Sequence, residues 1–326
     1  MESTQHPVDG ISVVVPVFNG ELSVADLMEG LEPVLAANAA DGRVFEAILV
    51  NDGSRDRSWQ VICELTDRLP WVRGIDLMRN YGQHNALLCG IRAARFTRIV
   101  TMDDDLQHPP DQVPLLLAKL DEGYDVVYGV PERLSHGAVR NIMSRTAKVL
   151  VAKATGNKNV RDINAFRAIR ADLRPSLIPF ESPTLLLDVL LGWTTSRFAS
   201  VTVRQEPRRT GTSNYGPLKL FNQLLLICTS YTTFPLRLTS MIGFCFTVFG
   251  FCLMVYVLAR TMFEGSPPGF PFLASIVTIF GGVQLFSLGV IGEYLGRMFE
   301  RTMNRPTYVI RTATSSGRSA TGDADE

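Results

Sequence analysis

Hydrophobic and polar positions change period along this chain, and the changes divide it into two halves. In the first half, short runs rich in β-branched residues recur at 11–17, 45–50, 72–78, 98–102 and 124–130. Between them lie longer segments with helix-like spacing, at 21–40, 56–69, 83–95 and 109–120. The short runs predict strands and the longer segments predict helices. The strands are close to continuously apolar, as ISVVVPV at 11–17 illustrates, so each is expected to be covered on both faces. Strand–helix alternation of this kind predicts an α/β domain with a mostly parallel sheet. In such sheets ligands gather at the carboxyl ends of the strands, so chemistry is expected just after each strand.

The second half reads differently. No charged residue occurs from 238 to 259, and none from 265 to 292, where 270–291 is mostly apolar. Each stretch exceeds the roughly 20 residues needed to cross a hydrocarbon core. A pair of buried core helices is the alternative, but core helices of that length usually carry a polar face. Two transmembrane helices are expected. Arg204, Arg208, Arg209, Lys219 and Arg237 precede them, Arg297, Arg301, Arg305 and Arg311 follow, and the connecting loop has one cation, Arg260. The positive-inside rule then puts both termini and the first half in the cytoplasm, on a multi-pass protein of the inner (cytoplasmic) membrane. The first ten residues are polar and lack a signal-peptide pattern. The Ser/Thr/Gly-rich stretch 312–326 is expected to be disordered. The expected organisation is a tail at 1–10, a cytoplasmic domain at 11–233, a two-helix anchor at 234–297 and a C-terminal segment at 298–326.

Composition narrows the function classes. Thirty-two Lys and Arg balance 32 Asp and Glu, so no basic excess points to nucleic acid as a partner. With 46% hydrophobic residues, wholesale disorder is excluded. The five cysteines are scattered, without C-x-x-C and without pairing to the four histidines, which speaks against a disulfide framework or a zinc site. Neither G-x-G-x-x-G nor G-x-x-x-x-G-K-[ST] occurs, so a nucleotide would not be held in the dehydrogenase or NTPase manner.

Two strand ends carry candidate chemistry. Asp103, Asp104 and Asp105 follow the fourth strand. Three adjacent carboxylates repel one another, and a divalent cation with oxygen ligands, Mg²⁺ or Mn²⁺, relieves that repulsion. In an extended segment Asp103 and Asp105 would share a face and Asp104 would point elsewhere. The bland alternative is a solvated turn ahead of Pro109-Pro110. After the second strand comes Asn51-Asp52-Gly53-Ser54, where Asp52 is either a turn former or an acceptor for base or ribose donors.

Taken in order, VVVPVFNG (13–20), VNDGSRD (50–56), RNYGQHNA (79–86), DDDLQHPP (103–110) and two C-terminal spans ending GEYLGR (292–297) are specific in combination. Over roughly residues 10–311 the chain resembles the family-2 glycosyltransferases of GT-A fold that charge polyprenyl phosphates with a sugar. Dolichyl-phosphate-mannose synthase and bacterial undecaprenyl-phosphate sugar transferases are of this kind. The resemblance implies inverting transfer from a nucleotide-sugar, with UDP favoured, to a polyprenyl phosphate, undecaprenyl phosphate in bacteria. Asp103 and Asp105 match the D-x-D aspartates that bind the metal bridging the diphosphate, and Gln107 matches an assisting glutamine. Pro16 and Asp52 match positions lining the nucleoside pocket, and Asp104 falls on the nucleotide-sugar side. Asp162, in VRDINAFRAIR (160–170), matches the aspartate proposed as base or acceptor-side carboxylate, with Asp105 as its catalytic companion. Arg133, Arg140 and Ser144 fall where lipid-phosphate contacts lie, and Arg208 matches the R-x-x-G-x-S motif on the same side. A homo-oligomer, a tetramer, is implied as well.

Two departures stand out. Gly20 pushes Glu21 one place beyond the usual P-x-[YF]-N-E position, and Asn214 stands where lysine is usual. A processive polysaccharide synthase is the second enzymatic reading, but Gln205-Glu206-Pro207-Arg208-Arg209 lacks the tryptophan of Q-x-x-R-W. A membrane-tethered pseudoenzyme scaffold is the third, and the acidic triplet, Asp52 and Asp162 argue against it. Two amphipathic stretches, 138–155 and 217–231, are expected to be interfacial helices that hold the domain against the inner leaflet.

Overall fold

The computed structural model describes residues 8–39, 44–131, 164–180, 186–206, 233–264, 269–303 and 305–315. The two stretches expected as interfacial helices, 138–155 and 217–231, lie outside the described residues. The chain divides into a sheet unit, Met1–Asn214 with Asn304–Glu326, and a helical unit, Tyr215–Met303.

The sheet unit contains β1 (Val8–Val17), β2 (Val44–Asn51), β3 (Val72–Leu77), β4 (Phe96–Thr101), β5 (Val126–Pro131), β6 (Arg167–Arg170), β7 (Phe198–Val203) and β8 (Ile310–Ser315). Their spatial order is β7-β5-β6-β4-β1-β2-β3-β8. Strands β1 to β4 pair in parallel, as do β5 and β7, while β6 and β8 run antiparallel to their neighbours. The expected mostly parallel α/β sheet is therefore present.

Alternation along β1 explains its unbroken apolar run. Val13, Val15 and Val17 enter one core cluster with α1 (Val24–Ala39), α2 (Ser58–Arg68) and α4 (Val113–Asp121). Val14 enters a second cluster with α3 (Gln83–Ala93), α5 (Arg174–Leu177) and α6 (Leu187–Thr194). Both faces of the sheet are thus buried, and both faces of the strand must be apolar. Helix α1 carries Pro33 in its interior, a residue that costs about 3 kcal/mol there. Leu27, Met28, Leu31 and Leu35 are fully buried on the same helix, each contributing about 1.5–3 kcal/mol, which more than offsets the proline.

The last strand corrects an expectation. Residues 312–315 belong to β8, paired antiparallel with β3 from Arg73↔Ser315 to Leu77↔Ile310, and are not part of a disordered tail. The physical reason is local: Ile310, Thr312 and Thr314 are β-branched, and β3 offers an open edge with which they complete a ladder. Composition alone registered only the Ser and Thr content. Strands β6 and β7 were also not anticipated. The former, RAIR, is four residues long and begins and ends in arginine, so it lacks the apolar run that marked the others.

A buried carboxylate ties the sheet to its flanks. Glu46 is 1% exposed and accepts hydrogen bonds from Ser12 Oγ (2.8 Å), Arg73 Nη1 (2.9 Å) and both the backbone N–H and Nε of Arg95 (2.9 Å each). Burial pushes its carboxyl up, but the bonds from Arg73, Arg95 and Ser12 outweigh burial and leave it below the ordinary range. A depressed carboxylate contributes stability above its unfolded pKa and loses it as pH falls through the folded one. Glu46→Gln is therefore expected to lower stability at neutral pH by about 1.5–3 kcal/mol. The gap to wild type should close as pH falls below about 4.3, the ordinary glutamate value. Thermal melts of both proteins across that range test this, and a gap independent of pH would refute it.

The helical unit consists of α7 (Phe234–Glu264) and α8 (Phe270–Thr302), of 31 and 33 residues. Their most apolar windows, Pro235–Leu253 and Ile279–Phe299, have mean hydropathy 1.7 and 1.3 and are 6% and 0% buried. Phe244 and Leu285 are 69% and 71% exposed. A core helix of a water-soluble fold would bury such residues, so the core-helix alternative fails for the described residues, and both helices are long and apolar enough to cross a membrane. They meet through an edge-on contact between Phe246 and Phe280, whose ring lies over Gly250.

Candidate functional site

The sheet order changes direction between β1 and β4: β2 and β3 continue from β1 on one side, and β4 opens the other. Such a switch point leaves a crevice at the carboxyl ends of the strands, because the two following loops diverge. A cavity lies there. Pro16, Val17 and Phe18 line it at the end of β1, Asp52 just after β2, Asn80 and Gly82 from the loop after β3, Gln83 from the start of α3, and Asp103, Asp104 and Asp105 from the segment after β4.

The β1 loop is latched to its neighbour. Asn19, at φ 55°, donates its N–H to Ser54 Oγ (3.0 Å) and accepts the Arg55 N–H on Oδ1 (2.9 Å). Glu21 accepts the Arg57 N–H on Oε2 (3.0 Å) and donates its own N–H to Asp56 Oδ2 (3.2 Å). It fastens two loops together and is not among the residues lining the cavity. Gly20 has its own reason: a Cβ there would lie 2.2 Å from Asp104 Oδ2. The acidic loop needs the space that glycine leaves.

Asp52 sits 2% exposed at the end of β2. Its two oxygens accept the N–H groups of Tyr81 (2.7 Å) and Gly82 (2.9 Å). Burial raises its pKa and these two bonds oppose the rise without cancelling it. Asp52 thus both lines the cavity and shapes the 78–82 loop. Gly53, at φ +64°, lets the two loops touch, since a Cβ would stand 2.4 Å from the Arg79 carbonyl carbon and 2.5 Å from the Asn80 nitrogen.

The acidic triplet departs from the expected extended geometry. Strand β4 ends at Thr101 and a turn begins at Asp104. Asp105 Oδ1 accepts the Gln107 N–H (3.1 Å), and Leu106 takes φ 59° to close the turn. Simple i, i+2 alternation therefore does not set the directions of the three side chains; the turn does. Asp103 Oδ1 accepts Gln83 Nε2 (2.6 Å). Asp104 accepts the Phe18 N–H, and burial followed by the charges of Asp103 and Asp105 pushes its carboxyl up to about 7. Three carboxylates share one cavity wall, the donor chemistry that Mg²⁺ or Mn²⁺ prefers. Among the described residues, no group of three His, Cys, Asp or Glu is arranged to hold a metal by itself.

Of the residues nominated from sequence, Pro16, Asp52, Asp103, Asp104 and Asp105 meet in this cavity. Gln107 is not among its lining: its Oε1 accepts Gln205 Nε2 (3.0 Å) and its carbonyl accepts the Glu206 N–H (2.8 Å). Asp162, Arg133, Arg140, Ser144 and Arg208 lie outside the described residues. Phe18, Asn80, Gly82 and Gln83 were not nominated. Their signal was positional, since Phe18 directly follows β1 and the other three lie between the end of β3 and the start of α3, within the motifs VVVPVFNG and RNYGQHNA.

Known proteins are similar to this chain in sequence and in fold. The chain is 35% identical over 310 residues to the undecaprenyl-phosphate 4-deoxy-4-formamido-L-arabinose transferase of Shewanella sediminis, covering 93% of this chain and 92% of that one. The protein of the same description from Pseudomonas paraeruginosa is 33% identical over 320 residues, 97% of this chain and 93% of the other. Among solved structures, glucosyl-3-phosphoglycerate synthase from Mycobacterium tuberculosis in complex with phosphoglyceric acid shares the fold, with TM-score 0.50 and 21% identity over 68% of this chain and 80% of that one. A complex of the same enzyme with Mn²⁺, UDP and glucosyl-3-phosphoglycerate matches at TM-score 0.48, 19% identity, 68% and 80% coverage. Residues 12–185 match the family described as Glycosyl transferase family 2 and include every residue that lines the cavity. With a switch-point cavity walled by carboxylates and relatives aligned along nearly its whole length, the chain belongs to glycosyl transferase family 2.

Proposed function

We propose that this protein transfers a sugar from a UDP-sugar to undecaprenyl phosphate, with inversion at the anomeric carbon, at the cytoplasmic face of the membrane. The observation that carries this reading is the acidic wall, Asp103 to Asp105, facing Asp52 and Pro16 across one cavity, in a chain whose relatives are named for that acceptor. Asp103 and Asp105 would hold a divalent cation, Mg²⁺ or Mn²⁺. When bound, that cation supplies neutralisation of the diphosphate leaving group. The chain's own residues do the rest. Pro16, Phe18 and the Asp52-anchored 78–82 loop bind and orient the nucleoside, and Asp104 shapes the wall from behind.

The acceptor is a phosphate monoester whose second pKa is about 6, so near neutral pH its oxygen is already largely ionised. No strong base is required, and Asp162 is proposed to orient the acceptor or the sugar. Arg133, Arg140, Ser144 and Arg208 are proposed to hold the lipid phosphate, arginine being suited to bidentate contact. The proposed working form is a homo-oligomer.

Parity supports one shared side for the two parts of the sheet unit. The chain leaves the sheet unit ahead of Phe234 and returns to the same sheet at Ile310, so any membrane it crosses between them must be crossed an even number of times. Two spans satisfy this. The excess of arginine before and after the pair, against Arg260 alone between them, supports the cytoplasm as the shared side.

The direct test presents a panel of UDP-sugars to the full chain with undecaprenyl phosphate, with and without EDTA, and identifies the lipid product by mass spectrometry. A lipid-linked sugar that requires the divalent ion is expected; no product with any donor would refute the reading. A finer prediction concerns Gly53. Gly53→Ala incurs about 1–2 kcal/mol for the left-handed backbone and presses a methyl group on Arg79 and Asn80. It should raise KM for the nucleotide-sugar about tenfold or more, since 1.4 kcal/mol is a factor of ten. An unchanged KM would show that the two loops do not set donor affinity.

A further inference from the structure

We infer that Arg311, on the strand that follows the second membrane helix, is a positioning residue for the nucleotide pocket. The inference rests on the reading of the switch-point cavity as that pocket. Arg311 Nη1 donates to Asp76 Oδ2 (3.1 Å) and Nη2 to the Met78 carbonyl (2.9 Å). Asp76 is 2% exposed, and its other oxygen accepts Asn51 Nδ2 (2.6 Å), also buried. Asn51 in turn offers Oδ1 to the Ser54 N–H (3.4 Å), inside the turn that presents Asp52. The Met78 N–H donates to the carbonyl of Val309, the residue before β8 (2.9 Å), so Val309 and Arg311 together hold both backbone polar groups of the residue that begins the 78–82 loop.

One guanidinium thus holds the roots of both loops on the β2–β3 side of the cavity. The first loop carries Asp52. The second carries Asn80 and Gly82 and receives both oxygens of Asp52. Neither loop has a regular element of its own, and Gly53 and Gly82 both sit at positive φ, so their shape depends on these side-chain ties. Arg311 itself does not line the cavity and need not touch the nucleotide. Its fork geometry matters because a single side chain must serve a carboxylate and a carbonyl at once. The consequence is that the chain's path through the two apolar helices ends in a strand that completes the donor site. A domain cut off before Phe234 would lack β8 and keep both loops without their outer tie.

The test uses the full chain in nanodiscs. UDP with Mn²⁺ is titrated calorimetrically into wild type, Arg311→Ala and Arg311→Gln, and KM is measured for the nucleotide-sugar and for undecaprenyl phosphate. Arg311→Ala should weaken UDP binding and raise donor KM by about fivefold or more, while lipid KM stays within about twofold. A smaller donor effect, or an equal rise in both KM values, would overturn the inference. Should Arg311→Ala fail to fold, Arg311→Gln, which keeps one hydrogen bond and the strand's packing, is judged by the same comparison. Absence of UDP binding by the wild type would overturn the nucleotide reading of the cavity and this inference with it. Binding by wild type and equal binding by the variants would overturn the inference alone.

Discussion

Asp103→Asn and Asp105→Asn should each lower sugar transfer by at least about 10³-fold, some 4 kcal/mol of transition-state stabilisation. On the proposed reading the diphosphate leaves only as its charge is neutralised, and an amide in place of either carboxylate would remove a proposed negative ligand from the cavity wall. Asp104→Asn should be mild, within about tenfold. The reason differs from simple alternation along a strand, since the turn that begins at Asp104 directs this side chain toward the Phe18 N–H and the space left by Gly20. An asparagine oxygen can accept the same N–H, so the turn survives the substitution. Initial rates at saturating Mg²⁺ and again at saturating Mn²⁺ decide the matter. If Asp104→Asn were inactive and Asp103→Asn active, the assignment of the two ligands would be wrong. Metal affinity offers a second readout: the Asp103 and Asp105 variants should require more metal for half-maximal rate, and the Asp104 variant should not.

The parts of this architecture legible from sequence are those encoded by continuous apolar patterning. Strands β1 to β5 and helices α1 to α4 announce themselves through periodicity, because each buries an apolar face against the sheet. The cavity's carboxylates were legible for a related reason: three adjacent acids directly after a buried strand repel one another, and a turn alone does not call for all three. Strands β6 to β8 were not legible. The register of β6 rests on two neighbours far away in sequence, β4 and β5, and β8 reaches β3 across more than two hundred intervening residues. Nothing local in IRTATS discloses that partner. Side-chain direction in the acidic loop was likewise hidden. It depends on a positive φ at Leu106 and on a hydrogen bond from Gln107, features of a turn rather than of composition. The roles of Gly20 and Gly53 became visible only once the opposing loop was in place, since both are defined by what a Cβ would strike.

The second large effect is expected at Arg167, a buried cation that no motif singled out as structural. It is 1% exposed and ion-paired through Nη1 with Asp188 of α6, itself 10% exposed. Nε donates to Thr101 Oγ1 (3.1 Å), and Thr101 Oγ1 donates to the Ala165 carbonyl (2.7 Å). Tyr128 Oη donates to the same Asp188 oxygen (3.1 Å), and burial holds the tyrosine far above its ordinary range. The network joins the end of β4, two residues before Asp103, to β5, β6 and α6. Ala165 and Arg167 are thereby fixed against the strand that leads into the acidic loop. Arg167→Ala would strand Asp188 as an unpaired buried charge and leave Thr101 short of a partner, at a cost of about 3–5 kcal/mol. For a unit of this size that corresponds to a fall in melting temperature of about 6–20 °C. Replacing both charges, Arg167→Met with Asp188→Leu, should recover part of the loss, since two well-packed apolar side chains avoid the desolvation that a lone charge suffers. Recovery should be incomplete because Tyr128 Oη loses its acceptor, a deficit of about 1–3 kcal/mol. Melts of the three proteins in one detergent provide the comparison. A single variant as stable as wild type would mean that Asp188 finds water, and that the pair does not hold the sheet end beneath the acidic loop.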